Sequence, residues 1–373
     1  MPSVTCDLVW GWRAAVSLNV CSLTEEGDSQ LVDSIGVALA GFGYWGANLA
    51  RNVVAAPSTH LVGIAEADGT RLDLAREKHP DATMWRNLEE TLADGTVDAV
   101  ILATPASTHA SLAYQTLGAG KHVLVEKPLA ESIDDGVALV EMAASSGLTL
   151  MVGHTFLYSA SVAHLRSWIE KGELGEIQYL HSRRLSLGRI RRDTNALWNF
   201  APHDLSIMMH LLDELPVEVS GRGFSFIDHG IEDVAFATMR FASGVGANLH
   251  VSWIDPLKTR TMIVVGDEKM AIYNDVSVDQ PLALVDSGVA RDADLGEYLS
   301  VGDFQWRTRA GDIHIPRVEF TEPLLNEVTA FGDACRTGDA PLADGRHGLD
   351  VVRALVAISE SMKLSGAPVE VSW

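Results

Sequence analysis

From residue 34 to about residue 153, the chain alternates between two hydrophobic patterns. Short, almost wholly apolar runs, typical of strands buried on both faces, alternate with longer stretches whose apolar residues recur at helical spacing. The apolar runs cover residues 35–40, 60–66, 98–103, 122–125 and 148–152, and the helical stretches cover residues 45–56, 71–78, 107–117 and 131–145. This alternation predicts a doubly wound parallel sheet, and so an N-terminal α/β domain over residues 34–153.

Beyond residue 153 the pattern changes to consecutive β-type segments joined by short turns. Strands are predicted at residues 177–187, 217–226, 234–241, 246–253, 261–265 and 270–273, and helices at residues 160–171, 200–212, 323–336 and 345–364. Successive strands predict a C-terminal α+β domain over residues 154–373, with an open, largely antiparallel sheet covered by helices on one face. We expect that the two late helices can pack back on the first domain. Residues 275–315 show no readable pattern.

The first 33 residues differ from the rest of the chain. They show no clear amphipathic period and end in a polar, acidic stretch. We interpret residues 1–33 as a poorly ordered extension. A further hypothesis is that they are an artefact of the assigned start site.

Composition narrows the class of protein. The chain has 373 residues, 47% of them hydrophobic, and a formal net charge of −22. This acidity argues against a general nucleic-acid or anionic-membrane surface, and no apolar run reaches the roughly 20 residues that span a bilayer. The three cysteines, Cys6, Cys21 and Cys335, have no paired metal-binding spacing. We expect a cytoplasmic protein with no metal, nucleic-acid or membrane partner.

A glycine-rich turn follows the first predicted strand and opens the first predicted helix. Its residues are Gly41, Phe42, Gly43, Tyr44, Trp45 and Gly46. In this context the first glycine permits a tight turn, the second lets a pyrophosphate approach the backbone, and the third lets helix and strand pack closely. The N–H groups at the helix N-terminus then attract the phosphates. We therefore predict a Rossmann dinucleotide site, the alternative being a turn that only packs the sheet.

Glu66 ends the second predicted strand at a position that bears on the choice of cofactor. It lies 20 residues after Gly46, the spacing of the acid that binds the ribose hydroxyls and repels a 2′-phosphate. Ala67 and Asp68 follow it, with no Arg or Lys among them. The segment therefore favours NAD over NADP.

Two later segments carry candidate catalytic groups. Glu126-Lys127-Pro128 follows a predicted strand, and the carboxyl ends of parallel strands are where ligands bind. A lysine there, with its pKa lowered toward roughly 7–8, can exchange a proton with a carbinol oxygen. Asn199 is a candidate N-cap, and His203 lies four residues later on the same helix face. The alternatives are a solvated lysine and a structural histidine.

Together these motifs resemble the Gfo/Idh/MocA family of oxidoreductases. The resemblance rests on the glycine turn, Ala103-Thr104-Pro105 through Ser107-Thr108-His109, Glu126-Lys127-Pro128 and His203, and it covers nearly all of the chain from residue 34. It implies a Rossmann domain joined to a larger α/β domain with an open sheet. It also implies hydride transfer between nicotinamide and a ring carbon of a sugar, nucleotide sugar or inositol, in a homodimer or homotetramer.

The resemblance implies individual roles as well. Lys127 would be the acid/base residue at the reacting oxygen with His203 as its partner, and the Lys127–Pro128 bond would be cis. The nicotinamide half of the cofactor site would be lined by Thr104, Pro105, His109 and Glu126. Many members carry an aspartate four residues before the histidine as a proton relay. Here that residue is Asn199, whose amide cannot ionise, so we expect Lys127 to carry the proton transfer.

A local basic cluster bears on the substrate. The five arginines Arg183, Arg184, Arg189, Arg191 and Arg192 fall within ten positions, and no acid occurs before Asp193. Arginine binds phosphate or carboxylate bidentately, so a nucleotide-linked or otherwise anionic sugar is favoured. The segment from Gly153 to Tyr158 resembles a branch of the family associated with surface-polysaccharide and antibiotic sugars. We predict that Tyr158, Arg184, Arg189, Arg191 and Arg192 bind substrate; the alternative is that the arginines pair with acids at a subunit interface.

Other functions remain open from the sequence. A cyclitol dehydrogenase, an NAD-dependent glycosidase that oxidises the sugar ring only transiently, and a non-catalytic NAD-binding regulator all fit the same fold. Net accumulation of NADH separates a dehydrogenase from the glycosidase, and tight NAD binding without turnover would favour the regulator.

Overall fold

The first sheet consists of six parallel strands, and the computed structural model describes residues 34–291 and 306–373. The strands are β1 (Ile35–Ala40), β2 (Thr59–Ala65), β3 (Thr83–Trp85), β4 (Ala99–Leu102), β5 (His122–Val125) and β6 (Leu150–Val152). Their order is β3-β2-β1-β4-β5-β6, so the strand order reverses between β1 and β4. In such a sheet, ligands bind at the carboxyl ends of the strands beside this reversal. The predicted doubly wound parallel sheet is confirmed.

Helices cover both faces of this sheet. They are α1 (Tyr44–Ala55), α2 (Gly69–Lys78), α3 (Leu88–Leu92), α4 (His109–Gly118) and α5 (Ile133–Ser146). The central strands β1 and β4 are apolar because both of their faces are covered, and every residue of β4 is buried. Helix α5 shows how the ends are set: the Ser132 side chain accepts the Asp135 N–H, and Gly147 ends the helix with a φ of 64°. Neither β3 nor α3 was predicted, because three and five residues are too few to show a period.

A second sheet of nine strands follows. Its strands are β7 (Ile177–Leu187), β8 (Pro216–Phe224), β9 (Val234–Phe241), β10 (Gly246–Ser252), β11 (Ile254–Gly266), β12 (Met270–Asn274), β13 (Leu282–Arg291), β14 (Trp306–His314) and β15 (Val369–Glu370). Their order is β14-β13-β12-β11-β7-β10-β9-β8-β15, and every pairing is antiparallel except β7 with β10. The predicted open, largely antiparallel sheet is therefore confirmed.

Two predicted segments differ in detail from the structure. Strand β11 begins at Ile254 rather than at residue 261, and β13 with β14 occupies much of the region that showed no pattern. In β14, residues 308–314 are all exposed, so no alternation of apolar and polar residues marks the strand.

Four more helices accompany the second sheet. They are α6 (Ala160–Glu170), α7 (Ala196–Leu212), α8 (Pro323–Thr337) and α9 (Gly345–Lys363). Helix α7 lies on β10, β7 and β9, and α9 lies on β8. Helices α8 and α9 also contact the first sheet and its helices: Phe331 packs with Leu49 beside α1, and Leu349 packs with Leu139 beside α5.

None of the helices in residues 34–291 and 306–373 is both long and apolar enough to cross a membrane. The same residues contain no cluster of three His, Cys, Asp or Glu side chains arranged for a metal ion. The predicted extension over residues 1–33 lies outside the described residues.

Candidate functional site

The glycine turn lies between the carboxyl end of β1 and the N-terminus of α1. Gly41 has a φ of 96°, and a Cβ there would lie 2.7 Å from the Ala103 carbonyl oxygen. A Cβ at Gly46 would lie 2.0 Å from the Gly41 carbonyl oxygen, so the third glycine is required by close packing of helix and strand. A Cβ at Gly43 would meet only the Arg71 guanidinium, at 3.9 Å. The backbone is therefore open to a ligand at Gly43.

The first turn of α1 is suited to an anion. Gly43 occupies the N-cap position and offers no side chain to bind the free N–H groups. Within the same turn, the Phe42 side chain is buried in the core and contributes only its backbone, whereas Tyr44 is 85% exposed. The turn thus combines an open backbone with unpaired donors, which fits a pyrophosphate.

Glu66 lies directly after β2 and beside the glycine turn. It is buried, and its two carboxylate oxygens accept the N–H groups of Phe42 at 2.7 Å and Asp68 at 2.9 Å. The Arg71 guanidinium lies 3.9 Å from the same carboxylate, one turn into α2. The sequence argument missed this base because it considered only the residues immediately after Glu66. Arg71 is a potential partner for a 2′-phosphate, so it weakens the argument against NADP.

Glu126 and Lys127 follow β5 at the same edge of the sheet. The Trp45 indole N–H donates to one oxygen of Glu126, and the Lys127 backbone N–H donates to the other at 3.2 Å. Burial raises the pKa of Glu126 to about 7, although the Lys127 charge and the Trp45 hydrogen bond oppose the rise. Burial lowers the pKa of Lys127 to about 8; Arg191 and Arg184 lower it further, whereas Glu126 opposes them. Near neutral pH, Lys127 is therefore mostly protonated but has a much larger neutral fraction than an ordinary lysine.

The backbone of helix α7 accepts a hydrogen bond from the Lys127 side chain. The lysine Nζ donates to the Asn199 carbonyl oxygen at 2.8 Å. The prediction that Asn199 caps this helix is wrong: α7 begins at Ala196, and the Asn195 side chain accepts the Trp198 N–H. Both asparagines precede apolar residues, so the sequence alone did not distinguish them. The Lys127–Pro128 peptide bond is cis.

His203 lies on α7 one turn after Asn199 and is partly exposed. Its ring meets Phe156 edge to face, with ring centres 4.9 Å apart. Burial holds the pKa of His203 well below its usual range, and the charges of Lys127 and Arg184 act in the same direction. The imidazole is therefore neutral and can both donate and accept a hydrogen bond.

The residues after β4 that were predicted to line the nicotinamide differ in their exposure. Thr104 and Pro105 follow β4 directly, and the Thr104 hydroxyl accepts from the Thr108 hydroxyl. His109 is 1% exposed, and its ring nitrogens lie 2.7 Å from the Pro128 carbonyl and 3.0 Å from the Thr104 carbonyl. Burial lowers the pKa of His109, so the neutral ring has one N–H and donates to only one of these carbonyls while it packs between Thr104 and Pro128; a cofactor contact by His109 stays a prediction.

The arginine cluster is not a free cationic surface. Arg184 is buried, with its Nε 2.5 Å from Asp204 of α7, so it is not available to a substrate anion as we predicted. Arg184 lies on a strand and its partner lies on a helix 20 residues later, so the sequence around Arg184 gives no sign of this ion pair. Arg191 pairs with Asp193 and Arg192 with Asp228, whereas Arg189 is exposed. Arg184, Arg191 and Arg192 thus pair with acids of the same chain.

Tyr158 is also placed differently from the prediction. Its hydroxyl accepts the Ala343 backbone N–H at 3.3 Å and lies 3.9 Å from the Met151 sulfur. The ring packs between the two apolar cores. Tyr158 therefore anchors the segment before α9 instead of facing a substrate.

Three polar residues near the site were missed. His154 follows β6 at the carboxyl edge of the sheet, and neither of its buried ring nitrogens has a hydrogen-bond partner among the described residues. Glu327 of α8 is fully buried and accepts the Thr155 hydroxyl at 2.9 Å, and burial raises its pKa well above the usual range. His347 lies in the first turn of α9. The rule that identified Glu126 and Lys127, a polar residue just after a buried strand, would also have identified His154.

Comparison with known families assigns both parts of the chain to one group. Residues 35–154 match a family described as "Oxidoreductase family, NAD-binding Rossmann fold", and residues 162–272 match the Gfo/Idh/MocA C-terminal domain. Together the two matches cover more than half of the 373 residues.

Individual relatives are similar to different extents. The chain is 30% identical to the 2,7-anhydro-N-acetylneuraminate hydratase of Escherichia coli over 58% of this chain, and the match spans only 61% of that protein's length. It is 28% identical to inositol 2-dehydrogenase 2 of Paenarthrobacter aurescens over 91% of this chain and 99% of the relative. The structure of UDP-N-acetylglucosamine 3-dehydrogenase from Acidithiobacillus ferrooxidans aligns with a TM-score of 0.72 at 24% identity, covering 89% of this chain and 98% of that one. At that identity the likeness supports the fold alone.

Proposed function

The chain belongs to the Gfo/Idh/MocA family of oxidoreductases, and on that premise we propose that it oxidises or reduces a ring carbon of a sugar with NAD, using Lys127 as the acid/base. The observation that carries this proposal is the placement of Lys127. A half-buried lysine with a pKa of about 8 lies at the carboxyl edge of a Rossmann sheet, with its Nζ 2.8 Å from the Asn199 carbonyl. Such a lysine exists in both protonation states near neutral pH, as proton transfer in either direction requires.

The residues of the glycine turn and of β2 fit a dinucleotide. The open backbone at Gly43 and the uncapped start of α1 would hold the pyrophosphate, and Glu66 would exchange one of its backbone hydrogen bonds for the ribose hydroxyls. The bound nicotinamide would supply the hydride acceptor or donor. We propose NAD rather than NADP because Glu66 and Asp68 place two carboxylates at this position against the single base Arg71.

Lys127 and His203 would share the reacting hydroxyl. During oxidation the neutral amine of Lys127 accepts the hydroxyl proton, and the neutral imidazole of His203 orients the same oxygen by a hydrogen bond. The Arg184 guanidinium lies over the Phe156 ring, 4.6 Å from its centre, and the same ring meets His203 edge to face. The buried Arg184–Asp204 pair thereby supports the histidine. Asn199 contributes its backbone carbonyl, which orients the lysine.

The substrate is proposed to be a sugar that carries an anionic group. Arg184 is buried, so the support for an anionic substrate comes from the segment between β7 and α7. Arg189 is exposed there, and Arg191 keeps part of its guanidinium exposed beside Asp193. These groups suit a nucleotide diphosphate less strongly than five free arginines would. An uncharged cyclitol is therefore the first alternative substrate.

A homo-oligomer is part of the same proposal. The sheet face opposite the helices exposes aromatic side chains on neighbouring strands, where Phe236 stacks on His250 at 4.2 Å and meets Phe224 edge to face. An exposed aromatic patch of this kind suits association with a second copy. Light scattering on the purified protein measures the mass, and a monomer would contradict the proposal.

A substrate panel tests the activity. The full-length protein is incubated with NAD or NADP and with UDP-N-acetylglucosamine, dTDP-glucose, N-acetylglucosamine or myo-inositol, and the absorbance of the reduced cofactor is followed. We expect NADH from a nucleotide sugar, with a lower KM than for the free sugar. A stronger response with myo-inositol would favour the cyclitol dehydrogenase, and no reaction despite NADH binding would favour the regulator.

A redox-neutral reaction is the second candidate function. It is favoured by the similarity to a protein named as a hydratase, in which no net oxidation is implied. The glycosidase hypothesis shares this property. Chromatography of the products detects such a reaction, because the sugar would change while no NADH accumulates.

A further inference from the structure

His154 is a buried polar side chain that the mechanism above leaves without a role. It follows Gly153 at the carboxyl end of β6, and the residue is 1% exposed. Neither ring nitrogen has a hydrogen-bond partner within residues 34–291 and 306–373. Leaving both nitrogens of a buried imidazole unpaired is unfavourable, so the position calls for a reason other than packing.

The neighbours of His154 are the catalytic groups on one side and His347 on the other. The His154 and His347 rings meet edge to face, with ring centres 5.5 Å apart. His154 also lies beside the strand that leads to Lys127, since the Gly153 N–H just before it donates to the Val125 carbonyl at 2.8 Å. Burial lowers the pKa of His154, and the Lys127 charge lowers it further. The inner nitrogen of His203, Nδ1, is also buried without a partner among the described residues. Three imidazoles and the lysine thus share one interior.

His347 connects this interior with the surface. It lies in the first turn of α9, where its backbone N–H is bound by the Asp344 side chain. Its Nε2 lies 2.8 Å from the Ser206 hydroxyl, and the side chain is partly exposed. A proton that reaches His347 can therefore pass to the hydroxyl or to solvent.

The need for such a route follows from Asn199. After oxidation Lys127 carries a proton that must leave before the next turnover. The lysine ammonium donates to the Asn199 carbonyl, and neither that carbonyl nor the amide side chain can take up a proton near neutral pH. Asn199 thus leaves Lys127 without an ionisable partner on α7, and an acceptor on another element would speed the loss of this proton.

We propose that His154 is a positioning residue that carries the proton between Lys127 and His347, and so replaces an ionisable group at position 199. The inference rests on the proposed oxidoreductase function. The substrate O–H bond breaks as an N–H bond forms on Lys127. That N–H bond breaks as a proton joins one ring nitrogen of His154, the other ring nitrogen releases its proton to His347, and His347 releases a proton to solvent. Water bridges the gaps that exceed hydrogen-bond distance. In the direction of reduction, the same groups deliver the proton.

Charges of both signs surround this route. The cations are Lys127, Arg184 and Arg260, the titratable imidazoles are His203 and His347, and the acids are Glu126 beside Lys127, Asp204 on Arg184, Asp275 on Arg260 and Glu327 on Thr155. Because burial and the Lys127 charge disfavour imidazolium, His154 holds a proton only in transit. This is what a carrier requires, since a strong base would retain it.

Replacement of His154 by alanine, followed by rescue with imidazole, tests the route. With the nucleotide sugar that the wild-type protein oxidises, His154→Ala should lower kcat by about 100-fold with little change in KM. Added imidazole should restore part of kcat, and kcat should come to depend on buffer concentration. His347→Gln should lower kcat in the same direction. The matched control is His164→Ala, which removes another imidazole that meets an aromatic ring edge to face, on α6. The proposal is overturned if His154→Ala keeps the wild-type kcat, or if imidazole and buffer have no effect on it.

A second measurement needs no substrate and separates failure of this inference from failure of the proposed function. The full chain is labelled with ¹⁵N-histidine and saturated with NADH, and the ring nitrogen signals are followed with pH. If the rings are coupled, His347→Gln shifts the His154 and His203 ring signals, whereas His164→Ala leaves them in place. If no sugar in the panel is oxidised but these shifts occur, the route exists and the proposed activity is wrong. Unchanged His154 signals in His347→Gln would overturn the route whatever the activity.

Discussion

Removal of the Asp204 carboxylate should strongly lower the free energy of unfolding of the protein. The Arg184 and Asp204 side chains are 6% and 4% exposed. The Arg184 Nε and Nη2 lie 2.5 and 3.3 Å from the two carboxylate oxygens, and the Ser182 hydroxyl donates to one of them at 2.6 Å. Asp204→Ala would leave the Arg184 charge buried without a counter-ion and the Ser182 hydroxyl without its acceptor.

The size of the effect follows from the burial of both partners. Loss of one member of a buried ion pair lowers the free energy of unfolding by about 3–5 kcal/mol, because the remaining charge is uncompensated. An exposed pair contributes only about 0–1 kcal/mol. The pair between Arg336 and Asp333 on α8 is exposed by 42% and 49%, so Asp333→Ala provides a matched control with the same change of residue.

Urea denaturation of the single and double variants measures the difference. The double variant Arg184→Leu with Asp204→Leu removes both charges, and it should recover most of the stability lost in Asp204→Ala. It should also retain less activity than wild type, because the guanidinium that lies over Phe156 beside His203 is gone. If Asp204→Ala lost no more stability than Asp333→Ala, or if the double variant were no more stable than the single one, the account of Arg184 as a structural cation would be refuted.

Three further predictions concern the cofactor and catalytic groups. Lys127→Met should lower kcat by about 10²–10⁴-fold. In the wild type, oxidation should accelerate as the pH rises through about 8, because the neutral Lys127 amine accepts the proton, and reduction should slow, because the ammonium donates it. Gly46→Ala should lower both the thermal stability and the NADH affinity, and the loss of stability should be about 1–3 kcal/mol. Gly43→Ala should lower only the NADH affinity, measured by NADH fluorescence, because the protein has room for a Cβ at Gly43. Trp45→Phe removes a hydrogen bond that opposes the raised pKa of Glu126, so this carboxyl should stay protonated to higher pH and stabilise the Lys127 ammonium less, and oxidation should begin below the wild-type value of about 8. Trp373→Phe, which removes an indole of similar exposure bound to a carbonyl, should leave the pH–rate profile unchanged.

The parts of the fold that were predictable are those with a local signal. The central strands of the first sheet are continuous apolar runs because both faces are covered, and β9 alternates strictly because only one of its faces is. The glycine turn, Glu66 and Lys127 were predicted by position, since each follows a strand of the parallel sheet at its carboxyl end. Strand β14 was missed because its described side chains are exposed and no core selects their pattern.

Residues whose role depends on a distant partner were not predictable in this way. Arg184 was taken for a ligand because the acid that neutralises it lies on α7, and Tyr158 because its hydroxyl partner is the Ala343 backbone. Glu327 gives no local signal, since α8 alone does not show that one of its acids is buried beside Thr155. Such pairings depend on tertiary structure, and no spacing along the chain records them.

The same pairings explain how this site lowers the pKa of its lysine. Burial disfavours the ammonium of Lys127, and the charges of Arg191 and Arg184 disfavour it further, while the Glu126 carboxylate stabilises it. Burial also raises the pKa of Glu126, so near neutral pH that carboxylate is itself partly protonated and its stabilising effect is reduced. Arg184 stays charged in the interior because Asp204 compensates it. The ion pair that supports α7 therefore also keeps a cation near the lysine, and its removal should raise the pH at which oxidation begins.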